Sequence, residues 1–383
     1  MENVTRALIE TLITGASRPH GEARALPPQA YLSEEFHELE REHIFRREWL
    51  CVGREEQIPD PGDYLSLTLV GEPIVVLRDR EGGLRALSNV CRHRYMQLVE
   101  GSGNVDKLVC PYHGWTYQLD GRLAGAPHMA ESRIFDRLQC RLPEFRVETW
   151  LGFVFVNLDS DAKPLTPRHE SARERLLEHR LGEMQTIATY EEVWDGNWKL
   201  AFENGIEGYH VPMIHPTIDQ WVPFASIDGE VNGDVGSWLT HAIDLERAVA
   251  ADPEFGKLMT RGSADLPEHA RTRFWGYNLY PALYIDKFPG YCVWLSFLPV
   301  SVKQTQILAG GLVERSEIER GGEPLHLQHM EWLAGLNAED SGPTMRLQSM
   351  LTSRLAVPGP LGEKEPLLPY FHRYLAQRLG GAA

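Results

Sequence analysis

The sequence is poor in positive charge, in cysteine and in long apolar runs. Its 383 residues contain 38 Lys and Arg against 54 Asp and Glu, a formal net charge of −16, which repels phosphate backbones and anionic lipid surfaces. No run approaches the roughly 18 to 20 consecutive apolar residues of a membrane helix, and the first residues lack the basic flank and apolar stretch of a signal peptide. We therefore expect a cytoplasmic protein with no nucleic-acid or membrane partner.

The cysteines are too few and too irregularly spaced for a disulfide framework. They are Cys51, Cys91, Cys110, Cys140 and Cys292. An odd number of thiols in a chain of this length indicates reduced cysteines, some of them available to a metal. The 15 histidines supply further potential metal ligands.

Hydrophobic patterning divides the chain into three parts. Residues 32–49 have the spacing of an amphipathic helix that Ser33 can cap. Short β-branched and aromatic runs separated by Pro-Gly and Gly-Gly pairs then indicate an all-β domain, and beyond it helical and strand-like segments alternate. We predict a helical segment at 1–45 that packs on the last domain, an all-β domain at 46–160 and an α+β domain at 161–383.

Two Cys/His pairs lie within the all-β part. Cys91-x-His93 is followed, after 16 intervening residues, by Cys110-x-x-His113, and nearby glycines and a proline place each pair at the tip of a loop. Zinc accepts two thiolates and two imidazoles, but structural zinc sites favour paired cysteines with paired histidines. Mixed pairs favour a [2Fe-2S] cluster in which thiolates hold one iron and imidazoles hold the other.

The motif C-x-H with C-P-Y-H-G-W resembles the Rieske cluster loops of the ring-hydroxylating oxygenase large subunits. The resemblance implies four cluster ligands, with Cys91 and Cys110 on one iron and His93 and His113 on the other. It also implies that Trp115 packs over the cluster, although a plain core aromatic is the alternative. Tyr95 departs from the family, because relatives often have Gly at this position.

A second set of metal-binding residue types lies in NWKLAFENGIEGYHVPMIHP. Glu203, Glu207 and His210 are spaced i, i+4 and i+7, so we expect them on one face of a helix. His215 lies about 140° further round a straight helix than His210, and the two can share a metal only if the chain bends, for which Pro212 supplies a reason. Two imidazoles with a carboxylate form a facial triad that holds Fe(II) and leaves positions open for O₂. By themselves the two histidines are more typical of ordinary hydrogen-bonded side chains, but the cluster motif upstream favours iron.

The same segment is similar to the mononuclear iron segment of the ring-hydroxylating family. That family takes its carboxylate ligand from an Asp more than a hundred residues later, ahead of a Gln. Asp340, with Gln348 eight residues after it, matches this pattern, and Glu339 is the fallback ligand. Asp340 could instead begin a helix, since Pro343 follows it in the first turn.

The resemblance implies a terminal oxygenase with a Rieske [2Fe-2S] cluster and a mononuclear Fe(II). The implied fold is α+β, with an all-β Rieske domain inserted before a helix-grip catalytic domain whose antiparallel sheet and helices enclose the iron. In the family, the cluster of one subunit supplies electrons to the iron of its neighbour in a homotrimer, through a carboxylate that joins histidines of the two centres. Glu207 occupies that position, where most ring hydroxylases have Asp. The Glu, like the N-terminal segment, resembles the branch that oxidises betaines, carnitine and choline.

The implied reaction uses O₂ and electrons from NAD(P)H, delivered by a flavin and iron-sulfur reductase with or without a ferredoxin. We expect hydroxylation or oxidative N-demethylation of a small molecule, with a methylammonium compound slightly favoured over an aromatic ring. Six aromatic residues could line its pocket, or simply alternate across a sheet: Trp275, Tyr277, Tyr280, Tyr284, Tyr291 and Trp294. Two other classes of protein remain open: an electron-transfer protein with the cluster alone, and a colourless binding module with a structural zinc site.

Overall fold

The computed structural model describes residues 2–166, 169–220, 222, 228–231, 236–251, 253, 256 and 266–382. The chain divides into two compact units, Arg46–Leu165 on one side and Met1–Phe45 with Thr166–Ala383 on the other. None of the described helices has the length and apolarity needed to cross a membrane.

The unit Arg46–Leu165 consists of antiparallel strands. They are β1 (Leu50–Arg54), β2 (Asp63–Leu69), β3 (Glu72–Arg78), β4 (Leu84–Ser88), β5 (Ser102–Asn104), β6 (Leu108–Val109), β7 (Thr116–Tyr117), β8 (Leu123–Gly125), β9 (Glu144–Trp150) and β10 (Phe153–Asn157). One described sheet has the order β1-β10-β9-β4-β3-β2-β5 and another the order β6-β7-β8. Strands such as EPIVVLR and FVFVN are rich in β-branched and aromatic residues, which favour extended backbone, and both are interior strands of the first sheet.

The other unit contains a long antiparallel sheet. Its described strands are β11 (Met184–Trp194), β12 (Asp228–Val231), β13 (Gly236–Ala242), β14 (Arg273–Leu279), β15 (Leu283–Lys287), β16 (Tyr291–Ser301) and β17 (Gln304–Glu314). Their order is β11-β17-β16-β15-β14-β13-β12, and every described pair is antiparallel. The succession of an all-β unit and a mixed helix and sheet unit confirms the α+β prediction.

The described α-helices all belong to this second unit. They are α1 (Glu2–Ala16), α2 (Gln29–Leu32), α3 (Glu34–Glu40), α4 (Glu170–Glu178), α5 (Trp198–Gly205), α6 (Val211–Ile214), α7 (Pro216–Asp219), α8 (Leu245–Ala251), α9 (Glu268–Arg271), α10 (Arg315–Met350) and α11 (Leu368–Leu379). Helix α10 packs against β11, β17 and α5, and α1 packs against α11. The sheet, α5 and α10 together frame the space in which the candidate iron ligands lie.

The N-terminal segment is tied to α5 by a buried ion pair. Ser33 caps α3 as predicted, by accepting a hydrogen bond from the Phe36 backbone N–H at 3.2 Å. The helix is shorter than expected, because a π-helical turn (Arg41–Phe45) follows it and ends the helical segment before Trp49. Glu40 in α3 accepts from Lys199 Nζ at 2.6 Å, with both side chains fully buried.

Candidate metal centres

The first Cys/His loop is a tight turn closed on the backbone of Cys91. The N–H of Cys91 donates to the Met96 carbonyl at 2.8 Å, and the N–H of Tyr95 donates to the Cys91 carbonyl at 3.1 Å. Tyr95 has a left-handed φ of 58°, a conformation that costs a non-glycine residue roughly 1–2 kcal/mol. Its side chain is 89% exposed, so the ring meets no steric obstacle.

The second loop repeats this geometry around Cys110. The N–H of Cys110 donates to the Trp115 carbonyl at 2.7 Å, and Gly114 donates to the Cys110 carbonyl at 3.0 Å. Gly114 has a left-handed φ of 71° and so corresponds to Tyr95 of the first loop. Because both loops close in the same way, the departure at Tyr95 changes a side chain and leaves the path of the loop intact.

The side chains of the two loops are arranged with thiols inside and imidazoles outside. Cys91 and Cys110 are 1% and 2% exposed within the hydrophobic core of the unit. The rings of His93 and His113 pack edge to face with centroids 4.8 Å apart and planes at 67°, and His93 Nδ1 is a buried atom with no hydrogen-bond partner. An orphaned imidazole nitrogen above two buried thiols fits a cluster with one thiolate-held and one imidazole-held iron.

Three aromatic residues surround these ligands. Trp115 is buried and stacks on His93, with centroids 4.8 Å apart and planes 5° from parallel. The Tyr117 hydroxyl lies 3.3 Å from Cys91 Sγ, and Tyr112 stacks on the His113 ring at 3.7 Å. Sequence reasoning considered Trp115 and missed both tyrosines, although a tyrosine two residues from Trp115 and another beside His113 were available as signals.

The predicted helical face with Glu203, Glu207 and His210 is wrong. Helix α5 ends at Gly205, so the three side chains do not share a helix. Glu203 accepts from the Tyr31 hydroxyl at 2.8 Å and lies 2.9 Å from His372 Nε2. It therefore takes part in contacts of α5 with α2 and α11.

His210, His215 and Asp340 come together as one potential metal site. Their ligand atoms all lie within 4.8 Å of one another. His215 Nε2 is 2.8 Å and His210 Nε2 is 3.6 Å from Asp340 Oδ1. The bend required between the histidines exists, because His215 lies between α6 and α7 with φ −119° and ψ 60°. Two imidazole nitrogens and one carboxylate oxygen are the donor set of an Fe(II) facial triad.

Two further carboxylates contact the Nδ1 atoms of these histidines, which face away from the potential metal position. Glu207 Oε1 lies 2.7 Å from His210 Nδ1, and Glu339 Oε2 lies 2.7 Å from His215 Nδ1. A carboxylate on Nδ1 fixes the tautomer that leaves Nε2 free for a metal. Burial lowers the pKa of His215, but Asp340 and Glu339 outweigh burial and raise it above its ordinary value. Glu339, the fallback ligand, thus lies on the opposite nitrogen from Asp340.

Asp340 is an interior residue of α10, which runs unbroken from Arg315 to Met350. The alternative role as a helix cap is therefore wrong. Gln348, on the same helix, accepts a hydrogen bond from the backbone N–H of Asn197 at 2.8 Å. Asn197 in turn caps α5 by accepting from the Lys199 N–H at 3.1 Å. The helix of the carboxylate is thereby fixed to the start of the segment that carries both histidines.

A cavity opens beside the potential metal site. The described residues that line it are Trp194, Ala201, Asn204, Gly205, Glu207, His210, Val211, His215, Ile218, Val222, Leu239, Phe274, Tyr284, Asp286, Phe288, Leu295, Phe297, Trp332, Leu336, Asn337 and Asp340. Aromatic rings and aliphatic groups make up most of the wall, and the polar groups cluster at the metal ligands. This arrangement is typical of a pocket for a small organic molecule.

Of the six aromatic residues proposed from the sequence, Tyr284 alone is among the described lining residues. Its neighbour Ile285 points to the opposite face of the sheet and pairs with Tyr277 and Trp294. On that face, Arg175 of α4 lies over the Trp275 ring at 5.7 Å. Trp275 therefore lies against α4, and the sequence could not show which face of the sheet would meet the cavity.

Asp286 is a cavity residue that sequence reasoning missed. It follows Tyr284 by two residues on β15, so both side chains lie on the same face of the sheet. Burial raises the pKa of Asp286 to about 8, with Tyr284 lowering it and Asp340 raising it further. Its Oδ1 is buried and has no hydrogen-bond partner. The signal in the sequence was an acidic residue that directly follows the apolar run Leu283–Ile285.

Both halves of the chain match known domain families. Residues 48–146 match the Rieske [2Fe-2S] domain, and residues 180–381 match the catalytic domain of the ring hydroxylating alpha subunit. These two domains in sequence define a Rieske-type iron oxygenase subunit. The chain belongs to the ring-hydroxylating alpha subunit family, which confirms the predicted resemblance and the two predicted cofactors, a Rieske cluster and a mononuclear iron.

The curated relatives include enzymes of quaternary-ammonium compounds. The chain is 34% identical over 197 residues to the carnitine monooxygenase oxygenase subunit of Acinetobacter pittii, covering 51% of this chain and 53% of the relative. It is 35% identical over 252 residues to the glycine betaine monooxygenase oxygenase subunit of Pseudomonas aeruginosa, covering 63% and 57%. The match thus spans about half the length of these relatives.

A solved structure extends the similarity over nearly the whole fold. A quaternary ammonium Rieske monooxygenase, crystallised with its substrate gamma-butyrobetaine, superposes with a TM-score of 0.79. It is 26% identical and covers 96% of this chain and 98% of its own.

Proposed function

We propose that this chain is the oxygenase component of a multicomponent Rieske system that oxidises a methylated ammonium compound. The observation that carries the proposal is the convergence of His210, His215 and Asp340 beside an aromatic-lined cavity, in a chain that also has the Cys/His loops of a Rieske domain. An iron held by three ligands supplies O₂ activation when it is bound. The quaternary-ammonium relatives support the substrate class.

The overall reaction balances as a monooxygenation. A C–H bond, O₂, two electrons and two protons give C–OH and water. If the carbon is an N-methyl group, the hydroxymethyl product breaks down to formaldehyde, an amine with one methyl fewer and a proton. The chain's own residues would bind and orient the substrate in the cavity, while Cys91, Cys110, His93 and His113 would hold the electron-storing cluster.

Glu207 would connect the two centres between subunits. Its carboxylate already holds His210 Nδ1, and it lines the cavity. In a homotrimer, a cluster histidine of a neighbouring chain would be the second donor to this carboxylate. Large apolar side chains exposed at the cluster loops, namely Tyr95, Met96 and Tyr112, support such an association.

The electrons would come from NAD(P)H through a separate flavin and iron-sulfur reductase. The relatives are named as oxygenase subunits, which supports a separate partner for electron supply. An NAD(P)H-fed system would work in the cytoplasm, where this reductant is found.

Metal analysis with product analysis tests the proposal. The purified protein should be red-brown and contain about three iron atoms per chain, two in the cluster and one in the triad. With a surrogate reductase and O₂ it should convert methylammonium compounds and release formaldehyde. About two irons per chain without product would indicate an electron-transfer protein, and a colourless zinc protein would indicate a binding module.

The cluster assignment has its own variant test. His93→Ala should abolish the visible and EPR signals of the cluster, because no neighbouring side chain can replace the imidazole. His128→Ala, at a histidine exposed on the same unit, is the control and should leave both signals unchanged. A normal spectrum in His93→Ala contradicts the assignment.

A further inference from the structure

The cavity beside the candidate iron ligands has three carboxylates in its described wall, two of which are paired with histidines. Among the described lining residues are the carboxylates of Glu207, Asp286 and Asp340, and none of the described lining residues is Lys or Arg. Asp340 is assigned to the metal, and Glu207 is engaged with His210. Asp286 is the remaining carboxylate, and the proposed oxygenase chemistry gives it no task.

Asp286 is held in place but incompletely satisfied. It hydrogen-bonds with Tyr284, yet its Oδ1 is buried and has no hydrogen-bond partner. Burial disfavours the charged form of a carboxylate that has no opposite charge beside it, and a cation placed there favours the charged form. The histidines of the described wall are engaged by Glu207, Glu339 and Asp340, and Lys and Arg are absent from it, so a cationic ligand can supply the opposite charge.

A second polar group in the wall is also unpartnered. Asn337 is 1% exposed, and its side-chain amide nitrogen has no hydrogen-bond partner. It lies on α10, three residues before Asp340, and lines the same cavity. A buried amide of this kind is suited to a neutral polar group such as a hydroxyl.

We propose that Asp286 is the specificity-determining residue that binds the cationic nitrogen of the substrate, and that the substrate carries this cation without a carboxylate. Rings of Phe274, Phe288 and Tyr284 line the same cavity and can surround a methylated ammonium by cation–π attraction. This inference rests on the proposed oxygenase function and deepens it, because it selects one class of ammonium compound.

The same charges disfavour zwitterions such as those oxidised by the named relatives. The carboxylate of carnitine or of glycine betaine would have to enter a cavity whose described wall contains Glu207, Asp286 and Asp340 but no Lys or Arg. Like charges at short range in a poorly solvated cavity repel strongly. An ammonium alcohol or a simple methylated amine has the positive charge but not this penalty.

A substrate comparison with the wild-type holoenzyme tests the substrate class. With a surrogate reductase, kcat/KM for formaldehyde release should be at least tenfold higher for choline or tetramethylammonium than for glycine betaine or carnitine. Equal or higher values for the zwitterions overturn the inference while leaving the oxygenase function standing. Absence of product from every compound, with cluster and iron in place, overturns both the inference and the proposed substrate class.

A variant with a neutral ligand tests the residue. Wild-type protein should bind choline at least tenfold more tightly than 3,3-dimethylbutanol, its uncharged isostere. The affinity of each compound is measured from its inhibition of tetramethylammonium turnover. Asp286→Asn should lose this preference for the cation while its affinity for the uncharged isostere stays within about twofold, a pattern that a general structural defect does not produce.

Matched variants complete the design. Asp244→Asn removes an exposed acid of the same unit and should keep the wild-type preference. Asp286→Glu should restore most of the preference lost in Asp286→Asn. A full preference for the cation in iron-loaded Asp286→Asn overturns the assignment. If that variant does not load iron, the preference for choline over 3,3-dimethylbutanol in Asp286→Glu and the substrate comparison in the wild type decide the assignment.

Discussion

Each candidate iron histidine lies between two carboxylates, one on each ring nitrogen. For His215 these are Asp340 on Nε2 and Glu339 on Nδ1, and for His210 the carboxylate on Nδ1 is Glu207. Two adjacent acidic residues on one helix thus face the same imidazole from opposite sides. The geometry suits them to different roles, in which Asp340 would be a ligand and Glu339 would orient the ring.

Separate replacement of Asp340 and Glu339 distinguishes the two roles. Asp340→Ala should keep the cluster spectrum but lose the mononuclear iron and all product, because two imidazoles alone hold Fe(II) weakly. Glu339→Gln should still bind iron, with affinity reduced about 10 to 100-fold as is typical for loss of an orienting carboxylate. Iron titration followed by EPR and metal analysis measures both effects. An active Asp340→Ala beside a dead Glu339→Ala would make Glu339 the ligand.

Glu207→Gln distinguishes an electron bridge from a metal ligand. The amide keeps the size of the side chain but loses the negative charge that accepts N–H bonds from imidazoles. Both metal centres should survive, while electron transfer from reduced cluster to iron becomes much slower than in the wild type. Single-turnover experiments with substrate and O₂ follow cluster reoxidation and product together. Wild-type rates would remove the bridge, and loss of the mononuclear iron would make Glu207 a ligand.

The link between α10 and α5 sets the geometry of the iron site at the level of elements. Gln348 of α10 is bound to the Asn197 backbone, and Asn197 begins the helix that leads to His210 and His215. Without this hydrogen bond the buried N–H of Asn197 would have no partner. The same glutamine was recognised from the sequence only by its spacing from Asp340, with no physical reason attached.

Gln348→Leu should therefore destabilise the protein. The expected loss is about 1–3 kcal/mol of the free energy of unfolding, the usual cost of leaving a buried backbone donor unsatisfied. Denaturant titration followed by tryptophan fluorescence measures the free energy of unfolding. The affinity for iron should fall in parallel. Ser349→Ala, at an exposed position on the same helix, should have little effect. Equal stability of the two variants would show that the link contributes nothing.

Elements specified by short-range signals were predictable, and those specified by tertiary contacts were not. The cluster loops could be found because each loop places Cys and His within three or four residues of one another. The helical face with Glu203 and Glu207 was wrong because periodicity continues across Gly205, where the helix ends. The pocket aromatics were largely missed because the face of a strand such as β15 that meets α10 depends on packing between distant segments. Asp286 stayed hidden for the same reason.

At the scale of the whole molecule, the chemistry is divided between two folding units. The cluster loops belong to Arg46–Leu165, whereas His210, His215 and Asp340 belong to the other unit. A chain can therefore lose one centre by a single substitution and keep the other. If electrons cross between subunits, two differently damaged chains can complement each other within one oligomer.

Mixed oligomers test this directly. Cys110→Ala removes the cluster from one chain, and Asp340→Ala removes the iron from another. Co-expressed with different affinity tags and purified through both, the mixed oligomers should recover a substantial fraction of the wild-type turnover, because an intact cluster meets an intact iron at some interfaces. Each variant alone should be inactive. Inactive mixed oligomers with correct metal content would indicate that transfer stays within one chain.

Helix α10 also contributes a row of residues to the cavity wall. Trp332, Leu336 and Asp340 line it at intervals of four residues, which places them on one stripe of the helix and spaces Trp332 about 12 Å from Asp340 along its axis. The candidate iron ligand and two further cavity residues thus lie on one stripe of the same helix. Libraries at Trp332 and Leu336 should change the longest alkyl chain accepted while full iron occupancy is retained, so substrate size can be re-engineered independently of the metal.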